Sequence, residues 1–108
     1  MNGLSQNELT AVRRLKETLI RDFGLVEMKL VGSKARGDSD SESDIDVVII
    51  LRERDWKTDL AVFDLCFELG LEHDVLLQPI VYSQGDFSSS RTKITPFYQA
   101  IVREGVAL

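Results

Sequence analysis

The run Val47-Val48-Ile49-Ile50-Leu51 restricts the fold more than any other segment of the chain. Five consecutive apolar residues, four of them β-branched, suit a strand covered on both faces. The flanking segments supply helices to cover it. Ser5 and Glu8 have the spacing of a capping box. Leu9, Val12, Leu15, Leu19 and Phe23 follow at steps of three and four, and Gly24 is a stop. Val26, Met28 and Leu30 alternate with Leu25, Glu27 and Lys29, which predicts a strand ending at Gly32. Ser33 is placed to cap a short helical turn through Arg36, and residues 37–43 read as a glycine, serine and acid loop. The apolar strand then runs from Asp44 to Leu51.

Asp55 caps a second long helix. Trp56, Leu60, Phe63 and Phe67 read as its core stripe, thickened by Val62, Leu65, Cys66 and Leu69 and ended by Gly70. A third strand is expected near His73 to Tyr82, with Pro79 demanding an edge position or a bulge. Residues 83–94 read as a mobile loop. Thr95-Pro96 opens a last helix, with Phe97, Tyr98, Ile101 and Val102 on its apolar face before Gly105. The order α-β-(short α)-β-α-β-α predicts one α/β domain over residues 1–108, a three-stranded mixed sheet with packed helices.

Composition narrows the function. The longest apolar run falls far short of the ~20 residues a spanning helix needs, so no membrane role is expected. The start, Met1-Asn2-Gly3-Leu4-Ser5, lacks the basic and apolar blocks of a signal peptide. A single cysteine, Cys66, forms no internal disulfide, which fits a cytoplasmic protein. Thirteen Lys and Arg against eighteen Asp and Glu give a net charge of −5, which opposes phosphate-neutralising nucleic-acid binding. The charge is uneven. Residues 1–37 carry seven basic and four acidic side chains, while residues 38–108 carry six and fourteen.

That boundary falls inside the stretch that carries chemistry. Asp44 and Asp46 are two apart in a strand, so both side chains face one way while Ile45 faces the core. Their Cα atoms would lie about 6.7 Å apart. At an effective dielectric of ~20 two such carboxylates repel by roughly 2.5 kcal/mol. A divalent cation offsets that repulsion, since Mg prefers carboxylate oxygens; an exposed acidic strand start is the plainer reading. Gly32-Ser33 lies where a strand turns into a helix, a place whose free amides bind phosphate, or is an ordinary turn. Lys34 and Arg36 add positive charge in the same turn. A phosphate cradle beside paired carboxylates is what a metal–nucleotide site requires.

Asp74 is expected to begin the third strand and, beside the second, to complete a carboxylate triad, with Glu72 as the fallback. A simple strand cap is the alternative. The alternating acids of residues 38–46 are not a calcium loop, because neither possible frame puts glycine at position six or glutamate at position twelve. His73, Cys66 and Trp56 read as structural, with a partner contact the alternative at Trp56. Tyr82 and Tyr98 are weighed only as self-modification acceptors.

Gly32-Ser33, ten residues, then Asp44-Ile45-Asp46, within Gly-Ser-Lys-Ala-Arg-Gly…Ser-Asp-Ile-Asp-Val-Val-Ile, resembles the signature of the nucleotidyltransferase superfamily that includes DNA polymerase beta. The size, and the ending from Thr95 through Val106, look like its minimal nucleotidyltransferase branch. The resemblance implies that Gly32 and Ser33 hold the β- and γ-phosphates of a nucleoside triphosphate, with Arg36 steadying the loop or touching phosphate. It implies that Asp44 and Asp46 ligate two Mg ions, and that Asp74 joins the second ion and draws the proton from the acceptor. Minimal members resemble antitoxins paired with helical HEPN ribonuclease toxins, onto whose tyrosine they transfer AMP from ATP. The expected activity is therefore nucleotidyl transfer to a hydroxyl. A contact-only antitoxin is the alternative, followed by an aminoglycoside-type enzyme with a separate substrate subunit. A homo-oligomer through the Phe97, Tyr98, Ile101 and Val102 face is open.

Overall fold

A computed structural model describes residues 4–37 and 44–108. In chain order the elements are α1 (Gln6–Asp22), β1 (Leu25–Val31), α2 (Gly32–Arg36), β2 (Ile45–Leu51) and α3 (Trp56–His73). They continue with β3 (Leu77–Ser83), α4 (Gln84–Ser88), α5 (Ser90–Lys93), α6 (Pro96–Glu104) and β4 (Val106–Ala107). The strands form one mixed sheet in the order β3-β2-β1-β4. β1 is antiparallel to β2 and β4, and β3 is parallel to β2. The expected elements follow in the expected order, but two short helices, α4 and α5, stand between β3 and the last helix, and the sheet has a fourth strand. Two residues are too few to show a period; β4 forms because Gly105 ends α6 and the chain falls beside β1.

β2 is central. Ile45, Val47, Ile49 and Leu51 face one layer, where Leu15 and Leu19 of α1 and Val62, Cys66 and Leu69 of α3 complete the core. Val48 and Ile50 face the other layer, with Val31, Ile101 and the half-buried Ile80, Tyr82 and Phe87. Both faces of the strand are thereby covered, as its composition demands. No helix among the described residues is long and apolar enough to cross a membrane.

Several local expectations are corrected. A register shift between Leu25 and Glu27 leaves Val26 exposed, although Met28 and Leu30 are buried. Residues 83–94 are two short helices, each capped by a serine side chain, Ser83 on the Asp86 amide and Ser89 on the Thr92 amide. α3 does not end at Gly70 but runs to His73, so the third strand begins at Leu77. Pro79 sits on β3, an edge strand, as a residue without an N–H should. On α3 the buried side is Val62, Cys66 and Leu69, whereas Trp56, Leu60, Phe63 and Phe67 face outward. The Ser and acid stretch 38–43 lies outside the described residues.

Candidate active site

The site is built where β1 turns into α2. Val31 pairs with Asp46 across the antiparallel β1–β2 ladder, so the next residue, Gly32, is brought against the Asp46 side chain. Gly32 takes φ +74°, and a Cβ placed there would lie 2.5 Å from Asp46 Oδ2. Only glycine fits: the left-handed backbone disfavours a side chain and the carboxylate occupies its space. α2 starts after Val31 without a side-chain cap and closes with the left-handed Gly37, whose N–H donates to the Ser33 carbonyl at 2.9 Å. Ser33 thus lies in the first turn of α2 and does not cap it.

Asp44 is exposed just ahead of β2, and Asp46 is half-buried within it. The strand begins at Ile45, one residue later than expected, where its N–H meets the Leu76 carbonyl at 2.7 Å. Burial holds the Asp46 carboxyl above the usual aspartate range, the Asp44 charge raises it further, and the Arg36 guanidinium opposes both. Arg36 itself lies 3.6 Å from Glu104 of α6. Asp44, Asp46, Gly32, Ser33 and Arg36 are therefore gathered around one turn. Carboxylates that destabilise one another's charged forms suit a hard divalent cation.

Lys34 departs from its expected role. It is 2% exposed, and its Nζ lies 2.8 Å from Glu8 Oε2 on α1. Glu8 is the capping-box residue: its Oε1 accepts from the Ser5 amide at 2.8 Å, while its own amide donates to Ser5 Oγ. Burial pushes the Glu8 carboxyl up, but the Lys34 and Ser5 hydrogen bonds outweigh it and the net shift is downward. The pair fastens the site turn to the start of α1.

Asp74 does not join the carboxylate pair. It is the C-cap of α3, at φ 56° and ψ 50°, with its N–H on the Gly70 carbonyl. Aspartate tolerates the left-handed region better than most residues, so it reverses the chain there and does not start a strand. Asp74 lines an open groove with Ser5, Asn7, Phe67 and Leu71, which neither Asp44 nor Asp46 lines. Glu72, the fallback, is exposed on α3 and ion-paired with Arg14 of α1. Among the described residues no three of His, Cys, Asp or Glu gather as a metal site. The strand neighbour of Asp46 is instead Gln78, its register partner on β3. Val48 and Ile80, the register pair two residues further on, share one core layer, so Asp46 and Gln78 share that face. Counting back from the edge proline at 79 is the signal that leads to Gln78.

The nucleotidyltransferase domain profile matches residues 12–101, and the chain belongs to that family. It is similar to a Methanocaldococcus jannaschii protein named "Putative protein adenylyltransferase MJ0604", 40% identical over 105 residues, which are 94% of this chain and 98% of that one. Its fold is similar to a toxin–antitoxin crystal structure with AMP-PNP, at TM-score 0.62 and 19% identity, covering 95% of this chain and 72% of that one. It is similar also to a complex of tri-AMPylated Shewanella oneidensis HEPN toxin with MNT antitoxin, at TM-score 0.54 and 17% identity, covering 94% and 71%.

Proposed function

We infer that the chain transfers AMP from ATP to a hydroxyl, and that the acceptor is a tyrosine of a HEPN-type protein partner. The observation that carries this reading is the meeting of Asp46 Oδ2 with the Gly32 turn, 2.5 Å from where any side chain would begin. Gly32 and Ser33 would take the β- and γ-phosphates through a backbone that glycine lets the nucleotide approach closely. Arg36, already acting on the charge of Asp46, would meet phosphate from the same turn. Asp44 and Asp46 would hold Mg, which when bound neutralises charge on the triphosphate. The acceptor oxygen bonds to the α-phosphorus, the bond to the β-bridging oxygen breaks, pyrophosphate leaves, and the hydroxyl proton passes to solvent at the exposed Asp44 end. The chain's own contribution is positioning and charge complementarity, which suffices for phosphoryl chemistry. The protein adenylyltransferase names of two relatives support a protein acceptor.

The test is label transfer from α-labelled ATP with Mg in native lysate, comparing wild type with Asp46→Asn. A labelled protein band that requires Asp46 is expected. Undiminished labelling by Asp46→Asn overturns the reading, and a labelled small molecule redirects it to a drug or metabolite acceptor.

A further inference from the structure

Along α3 the side chains of Trp56, Leu60, Phe63, Phe67 and Leu71 are 68%, 56%, 47%, 68% and 70% exposed. Steps of four, three, four and four keep them on one side of the helix, over a length of roughly 22 Å. The opposite side of α3 already supplies the core through Val62, Cys66 and Leu69. Single exposed apolar residues are ordinary, but an aligned run of five on one helix is not. Near its C-terminal end the stripe opens on a groove of about 660 Å³, lined in part by Phe67, Leu71, Val75 and Leu76. An anchoring side chain fits there.

Charge decides what covers the stripe. At 100° per residue, Asp64 and Glu68 fall along one flank with Lys57, and Glu72, further along it, is ion-paired with Arg14 of α1. All four are exposed. A second copy would set this acidic flank, on a chain of net charge −5, against its like. An anionic lipid surface is opposed for the same reason. A helix with its own apolar stripe and a Lys- or Arg-bearing flank satisfies both features. We propose that the outer face of α3 is a docking surface for a basic amphipathic helix of a protein partner. The face lies across the sheet from Asp46, so the proposal does not depend on the transfer reading.

Trp56 is the chain's one tryptophan and stands at the end of the stripe, so its emission reports docking directly. The probes are two tryptophan-free 18-residue helical peptides with the same leucine stripe, one flanked by lysines and one by glutamates. With the full chain, the lysine peptide is expected to give a saturable blue shift, and the glutamate peptide to bind at least about tenfold more weakly. Phe67→Asp is expected to weaken the lysine peptide by about tenfold or more. Its melting temperature should be unchanged, since that side chain is outside the core. Asp64→Lys with Glu68→Lys reverses the preference between peptides, and Asp46→Asn leaves binding intact while ending transfer. Equal binding of both peptides, or no shift with either, overturns the proposal. Sedimentation showing self-association that buries Trp56 does so too, by making a second copy the occupant.

Discussion

Lys34 sends its ammonium group inward to Glu8, although sequence alone groups it with the phosphate-facing charges of its turn. Nothing in the residue types distinguishes Lys34 from Arg36; the α2 helix does, by pointing the two in different directions. Removing one partner of a buried ion pair leaves the other charge stranded, at a cost of about 3–5 kcal/mol. Lys34→Met should therefore lower the denaturation midpoint sharply, and Glu8→Leu added to it should restore much of the loss. Glu8 adds a pH signature. Its lowered carboxyl stabilises the fold above the ordinary carboxylate range, and that stability is lost as pH falls through its folded-state value. Asp46 has the opposite sign. Its carboxyl is raised by burial and by Asp44, so the folded protein holds that proton more tightly than the unfolded chain does. Ionisation then costs stability above the folded-state value. Asp46→Asn is expected to raise the melting temperature at pH 7, with the gain fading as both proteins are brought to about pH 3; equal melting at pH 7 would contradict it.

At the scale of elements, the parts written in local chemistry were legible. The Ser5–Glu8 box, the Asp55 cap and the Thr95-Pro96 start all depend on a few adjacent atoms, and all are present. The Gly32 turn was legible for the same reason, and it carries a direct test. Gly32→Ala combines a left-handed backbone cost of about 1–2 kcal/mol with a carbon set 2.5 Å from Asp46 Oδ2. Thermal melting should show at least that loss, and nucleotidyl transfer should fall with it because Asp46 is displaced. The face of α3 was not legible, since the helix carries apolar residues on two sides and periodicity alone cannot choose which one the sheet takes. Nor was its end. Gly70 looks like a stop, but it serves inside the helix, where a Cβ would come 2.7 Å from the Val75 carbonyl as the chain folds back. The three-residue extension to His73 removes Asp74 from the strand and leaves Gln78 beside Asp46.

In the whole molecule, the sheet's edges were the least legible part, because pairing partners are set by topology and not by composition. β4 closes the β1 side with two paired residues, and the Leu108 amide adds a bond to the Met28 carbonyl at 3.0 Å. Deleting residues 106–108 exposes the β1 edge to other chains. Lower thermal stability and concentration-dependent light scattering are expected, while a variant as stable and monodisperse as the full chain would deny β4 that part. The sheet also separates two surfaces: α3 lies over one layer, and Asp46 faces the other. A helix seated on α3 cannot hand its immediate neighbours to the carboxylate pair. On the readings proposed above, an accepting hydroxyl carried by the docked partner would reach Asp46 around the β3 edge on a long arm, or a different molecule would supply it. The two faces can be occupied at once, so docking on α3 and transfer at Asp46 are expected to respond to mutation independently.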